Sequence, residues 1–197
     1  MHSLFPLIIL DTHTNGIIEI EEGVARFPKI VELSAIAFQP DKEVYKLEHF
    51  QVFIKNEDLS IPASLPDYNK NLIKDIESGK INSVSLNEAI ESFKRWGEEI
   101  CLLNEKAPGR LYMAGRKVDS FDLPILRYNG FDLSAYNHNC FDVESLFYRS
   151  DLNKMPTIYD LKKILNLKNK TASALELCYL AVDILKKVDE LRAIELS

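Results

Sequence analysis

Leu7-Ile8-Ile9-Leu10-Asp11-Thr12-His13 is the stretch that decides the fold: four apolar residues run directly into an acid, a hydroxyl and an imidazole. A short continuous apolar run reads as a strand buried on both faces. Residues 5 to about 11 are therefore expected as a central strand with Asp11 at its end. Two later segments place acids in similar settings, Phe121-Asp122-Leu123-Pro124-Ile125-Leu126 and Tyr179-Leu180-Ala181-Val182-Asp183. Three carboxylates from distant parts of the chain, each at an apolar element, have the makings of a divalent-metal site, because hard divalent ions prefer oxygen ligands. Two residues after Asp11, where a second carboxylate would serve such a site, stands His13.

Working outward, residues 12 to 27 read as an irregular acidic loop carrying Glu19, Glu21 and Glu22. Ile30 to Phe38 is expected as a second strand, Pro40-Asp41 as a turn, and Val44 to Ile54 as a third strand pairing antiparallel through it. Pro62 to Pro66 opens a helical region. Ser85 and Glu88 form a capping-box pattern ahead of a long amphipathic helix. Leu111 to Ala114 is a short strand, and a helix follows from about Phe121 to Asn129-Gly130, with Pro124 tolerated only in its first turn. Asn139 to Asp142 is another short strand, with helices around 143–149 and 157–166. Ser173 and Glu176 cap a last long helix, which runs to about Leu191. The order predicts an α/β protein with a mixed sheet, and ligands of such sheets gather at the carboxyl ends of the strands.

The bulk numbers bound the function. A chain of 197 residues with 46% hydrophobic content fits one domain, residues 1–197, with a core of its own. A net charge of -6 excludes a protein that coats nucleic acid by charge alone, but not one gripping a few nucleotides at one end. Cys101, Cys140 and Cys178 are widely spaced, which implies no disulfide framework and points to a reducing, cytoplasmic setting. The apolar stretch of Leu4 to Leu10 is too short to span a bilayer, so no membrane association is expected.

Each acid has a plain alternative. Asp11 reads as a bridging metal ligand or a turn residue, and Asp122 as a ligand or a helix N-cap. Tyr179 and Asp183, four apart on one helix face, are a water-positioning phenol beside a ligand, or a core ring beside a surface charge. His13 is a loop histidine, a ligand or a base. A zinc site from His13, His138, Cys140 and Cys178 lacks any tight spacing to support it.

Taken together, these residues resemble the DEDD (DnaQ-like) 3′–5′ exonucleases of the ribonuclease H-like fold, over about residues 5 to 192. Asp11-Thr12-His13-Thr14-Asn15-Gly16 is similar to that family's D-x-E-T-T-G, and Ser120 to Leu126 to its F-D-x-P-x-L. Tyr179 to Asp183 matches the Y-x-x-x-D of the tyrosine branch, whereas the histidine branch would place its base at Cys178. The resemblance implies a mixed sheet with helices on both faces and two ions, Mg or Mn, held by Asp11, Asp122 and Asp183. It implies Tyr179 as the residue positioning the attacking water, and a single-stranded DNA or RNA 3′ end as substrate; His13, on the reading that makes it a water-activating base, is the second catalytic candidate. Thr12, Thr14, Arg116 and Phe121 are candidate substrate contacts; Arg110, Lys117 and Arg127 flank the second motif. Two positions depart from the pattern: His13 replaces the first motif's Glu, and no Asn stands at its usual place before Phe121-Asp122. Metal-dependent exonuclease activity weakened by His13 is the expected function. The alternative is a silent module of the same fold that binds nucleic acid or a protein partner.

Overall fold

In the computed structural model the described residues are 7–39, 42, 47–57, 59–103, 111–147 and 154–195. The Pro40-Asp41 turn, Val44, Arg110 and the end of the helix expected at 143–149 lie outside them.

The apolar run forms β1 (Leu7–Thr14), which runs three residues past its expected end and is buried almost throughout. The expected loop after it is largely a hairpin, β2 (Glu19–Glu21) paired with β3 (Val24–Arg26). Glu22 and Gly23 at its tip both have positive φ, 51° and 80°, the backbone that lets a two-residue turn match strand twist. Next come β4 (Ile30–Phe38) and β5 (Glu48–Phe53). Helix α1 (Asp67–Glu77) and the 18-residue α2 (Leu86–Leu103) precede β6 (Leu111–Gly115). The Ser85–Glu88 capping box is formed, with Ser85 N–H donating to Glu88 at 2.8 Å and Glu88 N–H to Ser85 Oγ at 3.3 Å. Then follow α3 (Leu123–Tyr128), β7 (Tyr136–Asp142), α4 (Ile158–Ile164) and α5 (Ala174–Glu195).

The main sheet runs β5-β4-β1-β6-β7. β4 lies antiparallel to β1 and β5, while β6 is parallel to β1 and β7. Strands alternate faces, and each face is covered. Ile8, Leu10, Leu33 and Ala35 pack with Ala89, Phe93 and Ile100 of α2 and with Ile125 and Leu126 of α3. Ile9 and Ile36 pack with Leu161 of α4 and Cys178, Ala181 and Leu185 of α5. This is an α/β ribonuclease H-like arrangement, with helices on both faces.

The pairing of β1 with β6 ends at Leu10↔Gly115, whereas its pairing with β4 continues past His13↔Glu32 to an irregularity before Thr14. Asp11 is thus inside β1, yet it is the first residue past the parallel neighbour, where the sheet opens. A Cβ added at Gly115 would stand 2.3 Å from the Leu10 carbonyl oxygen. Only glycine lets the two backbones meet there. Gly115→Ala should therefore destabilise the fold by ~2 kcal/mol or more, read as a lower urea midpoint with unchanged slope; an unshifted midpoint would show that the β1–β6 contact yields freely.

Candidate functional site

Where β6 stops, the chain turns through Lys117, whose φ is 55°, into a π-helical turn at Val118–Asp122. This wide turn drops Asp122 back against β1. One carboxylate oxygen, Oδ1, accepts both the Thr12 amide, at 2.9 Å, and the Thr12 hydroxyl, at 2.5 Å. Asp122 makes no capping bond to α3, so of its two expected roles the N-cap fails. Thr12 is likewise occupied, holding Asp122 rather than facing a ligand.

Asp11 and His13 point to the opposite face, opposite Ser34 and Glu32 of β4. His13 Nε2 lies 3.9 Å from Asp11 Oδ2, and its Nδ1 lies 3.3 Å from Glu32 Oε2. The Tyr68 ring meets the imidazole edge-on, with centroids 5.0 Å apart. Glu32 is fully buried; its Oε1 accepts from Gln51 Nε2 at 2.9 Å and from Ser34 Oγ at 3.3 Å. From the β6 side comes Arg116, whose Nε lies 3.9 Å from Asp11 Oδ1. Asp11 Oδ2, His13 Nδ1, Glu32 Oε2, Asp122 Oδ2 and Arg116 Nε are all buried without a hydrogen-bond partner. Native interiors rarely leave such groups unpaired, and five of them at one place mark a site.

The electrostatics follow from burial. Desolvation, then the Asp122 charge, holds Asp11 well above the usual carboxylate range, with Arg116 pulling it back. Burial likewise pushes Asp122 up to about 7, against the Thr12 hydrogen bonds and Arg116. His13 is lowered to about 4 by burial and then by Arg116, so it is a neutral imidazole at pH 7. Burial also raises Glu32, opposed by Gln51, by the amides of Ala174 and Leu175 at the start of α5, and by Ser34. Burial works against the Arg116 charge, but Asp11, Tyr159, Asp122 and Glu144 keep its pKa raised.

The remaining expected residues are elsewhere. Asp183 is half-buried and accepts from Asn169 Nδ2 at 2.7 Å. Cys178, five residues earlier, points at the sheet, its Sγ 3.6 Å from the Ser34 carbonyl. At 3.6 residues per turn Asp183 is turned roughly 140° from it. Tyr179 packs toward His49 on β5, with ring centroids 6.4 Å apart. Thr14 Oγ1 donates to the Gly16 carbonyl at 2.7 Å, and Phe121 is half-buried against the α2–α3 core. Glu19 and Glu21 are solvent-facing on the β2–β3 hairpin, with Glu21 paired to Arg26 at 2.8 Å. Glu22 at the hairpin tip is exposed as well, so none of these three acids turns inward. The residue that does lie against His13, Glu32, went unflagged in the sequence, although an acid at the heart of an apolar strand is itself a signal.

A two-ion centre does not fit this set. Three carboxylate oxygens, of Asp11, Asp122 and Glu32, are unpartnered here, but that of Glu32 is turned to the neutral imidazole at position 13, 3.3 Å away, and Asp183 is engaged by Asn169. Among the described residues, no group of three or more His, Cys, Asp or Glu side chains is placed to hold a metal ion. Cys101, Cys140 and Cys178 are free thiols, and no described helix is long and apolar enough to cross a membrane.

No family model matches the sequence, and no curated protein matches it. Solved structures do match. The nuclease domain of 3′hExo, a DEDDh family member bound to rAMP, aligns with a TM-score of 0.61 at 10% identity, covering 96% of this chain and 93% of that one. Exonuclease I aligns at 0.62 and 14% identity over 95% of this chain, and E. coli exonuclease I in complex with a dT13 oligonucleotide at 0.60 and 12% over 98%. This chain spans 41% and 43% of those two chains, under half their length. At such identities the likeness establishes a fold shared with these nucleases.

The raised Asp122 pKa sets a sign. The folded protein holds this proton more tightly than the unfolded chain, whose value is near 3.8, so the contribution is present at low pH and lost as pH rises through about 7. His13 runs the other way: its contribution is present above 6.5 and lost as pH falls toward 4. Asp122→Asn removes the first effect alone. It should raise the urea midpoint over wild type at pH 8, by on the order of 3 kcal/mol in stability, with the gain gone by pH 4. A pH-independent difference would mean that the carboxyl ionises without cost.

Proposed function

We propose that this chain is an exonuclease-fold module that holds the 3′ end of single-stranded nucleic acid without hydrolysing it. The observation that carries this reading is the engagement of Asp183 by Asn169, which leaves Asp11 and Asp122 at the centre, with the third carboxylate, Glu32, turned to His13. In-line phosphodiester hydrolysis by two ions needs ligands that hold both metals some 3.5–4 Å apart, and two aspartates beside a neutral histidine do not supply them. Nucleic acid is supported by the surroundings. Arg116 and Lys117 stand at the open end of the sheet, and Phe27 stacks on the exposed Tyr128 at 4.6 Å between centroids. The exposed outer face of Tyr128 is the kind of ring on which a base stacks. The 3′hExo domain bound to rAMP and exonuclease I bound to dT13 carry ligands of this class on the same fold. Three free thiols suit a reducing compartment such as the cytoplasm.

A second reading has its own support. The orphaned Oδ2 atoms of Asp11 and Asp122 are what a divalent ion would take up. On that reading the chain is a slow exonuclease preferring Mn over Mg, because an imidazole suits the softer ion. Tyr179 and Asp183 would then have to turn into the cleft with substrate, as the tyrosine branch requires.

The test uses 5′-labelled single-stranded DNA and RNA. Binding that weakens with salt, together with an intact label after prolonged incubation in Mg or Mn, is expected. A 3′-shortened ladder that disappears in Asp11→Asn would replace the first reading with the second. No binding at low salt would remove both.

A further inference from the structure

We propose that Arg116 is the resident cation of this site: its guanidinium, in place of a divalent metal, balances Asp11 and Asp122, so that the protein assembles its cleft without metal. This rests on the reading above that no two-ion centre forms.

The fold delivers Arg116 to that position. It follows Gly115, where β6 presses on the Leu10 carbonyl, and precedes Lys117, whose left-handed backbone starts the turn carrying Asp122. Arg116 therefore leaves β6 beside the strand holding Asp11 and enters the turn that carries Asp122 six residues on. Its Nε is buried, unpaired and 3.9 Å from Asp11 Oδ1. The same charge is felt by Asp11, Asp122 and Glu144, all at least nine-tenths buried. A divalent ion bridging Asp11 and Asp122 would sit within a few ångströms of this fixed positive charge, where low dielectric makes the repulsion strong. Guanidinium is also more weakly hydrated than ammonium and stays charged when partly buried. Arginine is accordingly suited to stand permanently where an ion would come and go.

The test is thermal melting of the full chain, first in EDTA and then with millimolar MnCl2 or MgCl2. Wild type should melt at the same temperature in all three. Arg116→Met, which keeps the length and removes the charge, should melt roughly 5 °C lower in EDTA and regain at least half of that loss in Mn, since the freed aspartates now bind the ion. The double variant Arg116→Met/Asp11→Asn should recover without metal, which keeps the test readable if the single variant is too unstable to purify. Wild type that falls in EDTA and rises in Mn overturns the proposal. So does a loss in Arg116→Met that neither Mn nor Asp11→Asn restores, for that is packing alone. A metal-indifferent wild type that binds no oligonucleotide would sink the nucleic-acid reading and leave Arg116 in its role. A metal-responsive wild type that cuts nothing would do the reverse.

Discussion

The grip of Asp122 on Thr12 spans 110 residues of sequence and closes the one place where the sheet would come apart. β6 leaves β1 after Leu10↔Gly115, so the next amide of β1 on that side has no strand to pair with. A buried, unpaired amide is costly. Asp122 satisfies the Thr12 amide and hydroxyl with one oxygen, and the π-helical turn exists to bring it there. Its other oxygen is left buried and unpaired, and its charge is felt at Asp11. Structural need and candidate chemistry thus meet in a single carboxylate.

Much of this was legible in sequence. The apolar run, the two capping boxes and Pro124 in a first helical turn each carry a local physical signal, and the elements they announce are present. Asp11 and Asp122 are conspicuous as acids at apolar elements from distant parts of the chain, and in the fold both are buried, with the charge of Asp122 felt at Asp11. Tyr179 and Asp183 were chosen by spacing on one helix face, which is correct as far as it goes. Spacing says that two side chains share a face; it does not say which face meets the sheet. Cys178 and Ala181 take the inward stripe of α5, and Asp183 falls on the flank.

Glu32 illustrates the opposite failure. Its strand was read correctly, and within it a fully buried acid should have been conspicuous. What hid it is that its partners, His13, Gln51 and the first amides of α5, come from three separate stretches of chain. Register decides that Glu32 lies opposite His13, and register is a property of pairing rather than composition.

Buried acids stand here although no three metal-ligating side chains are grouped among the described residues. Retained aspartates argue for retained catalysis only if they have nothing else to do. Here Asp122 holds the Thr12 backbone, Glu32 gathers Gln51, Ser34 and the start of α5, and Glu144 accepts the Ile158 amide at 2.6 Å as α4 begins. Removing any one would leave buried donors unpaired, at about 1–3 kcal/mol each. Asp11 alone has no hydrogen-bonding task at either end of its carboxylate: Oδ2 is unpartnered, and Oδ1 lies 3.9 Å from Arg116. The persistence of Asp122 is therefore weak support for hydrolysis, and the weight of that question falls on Asp11 and on whether Arg116 or a metal ion is its partner.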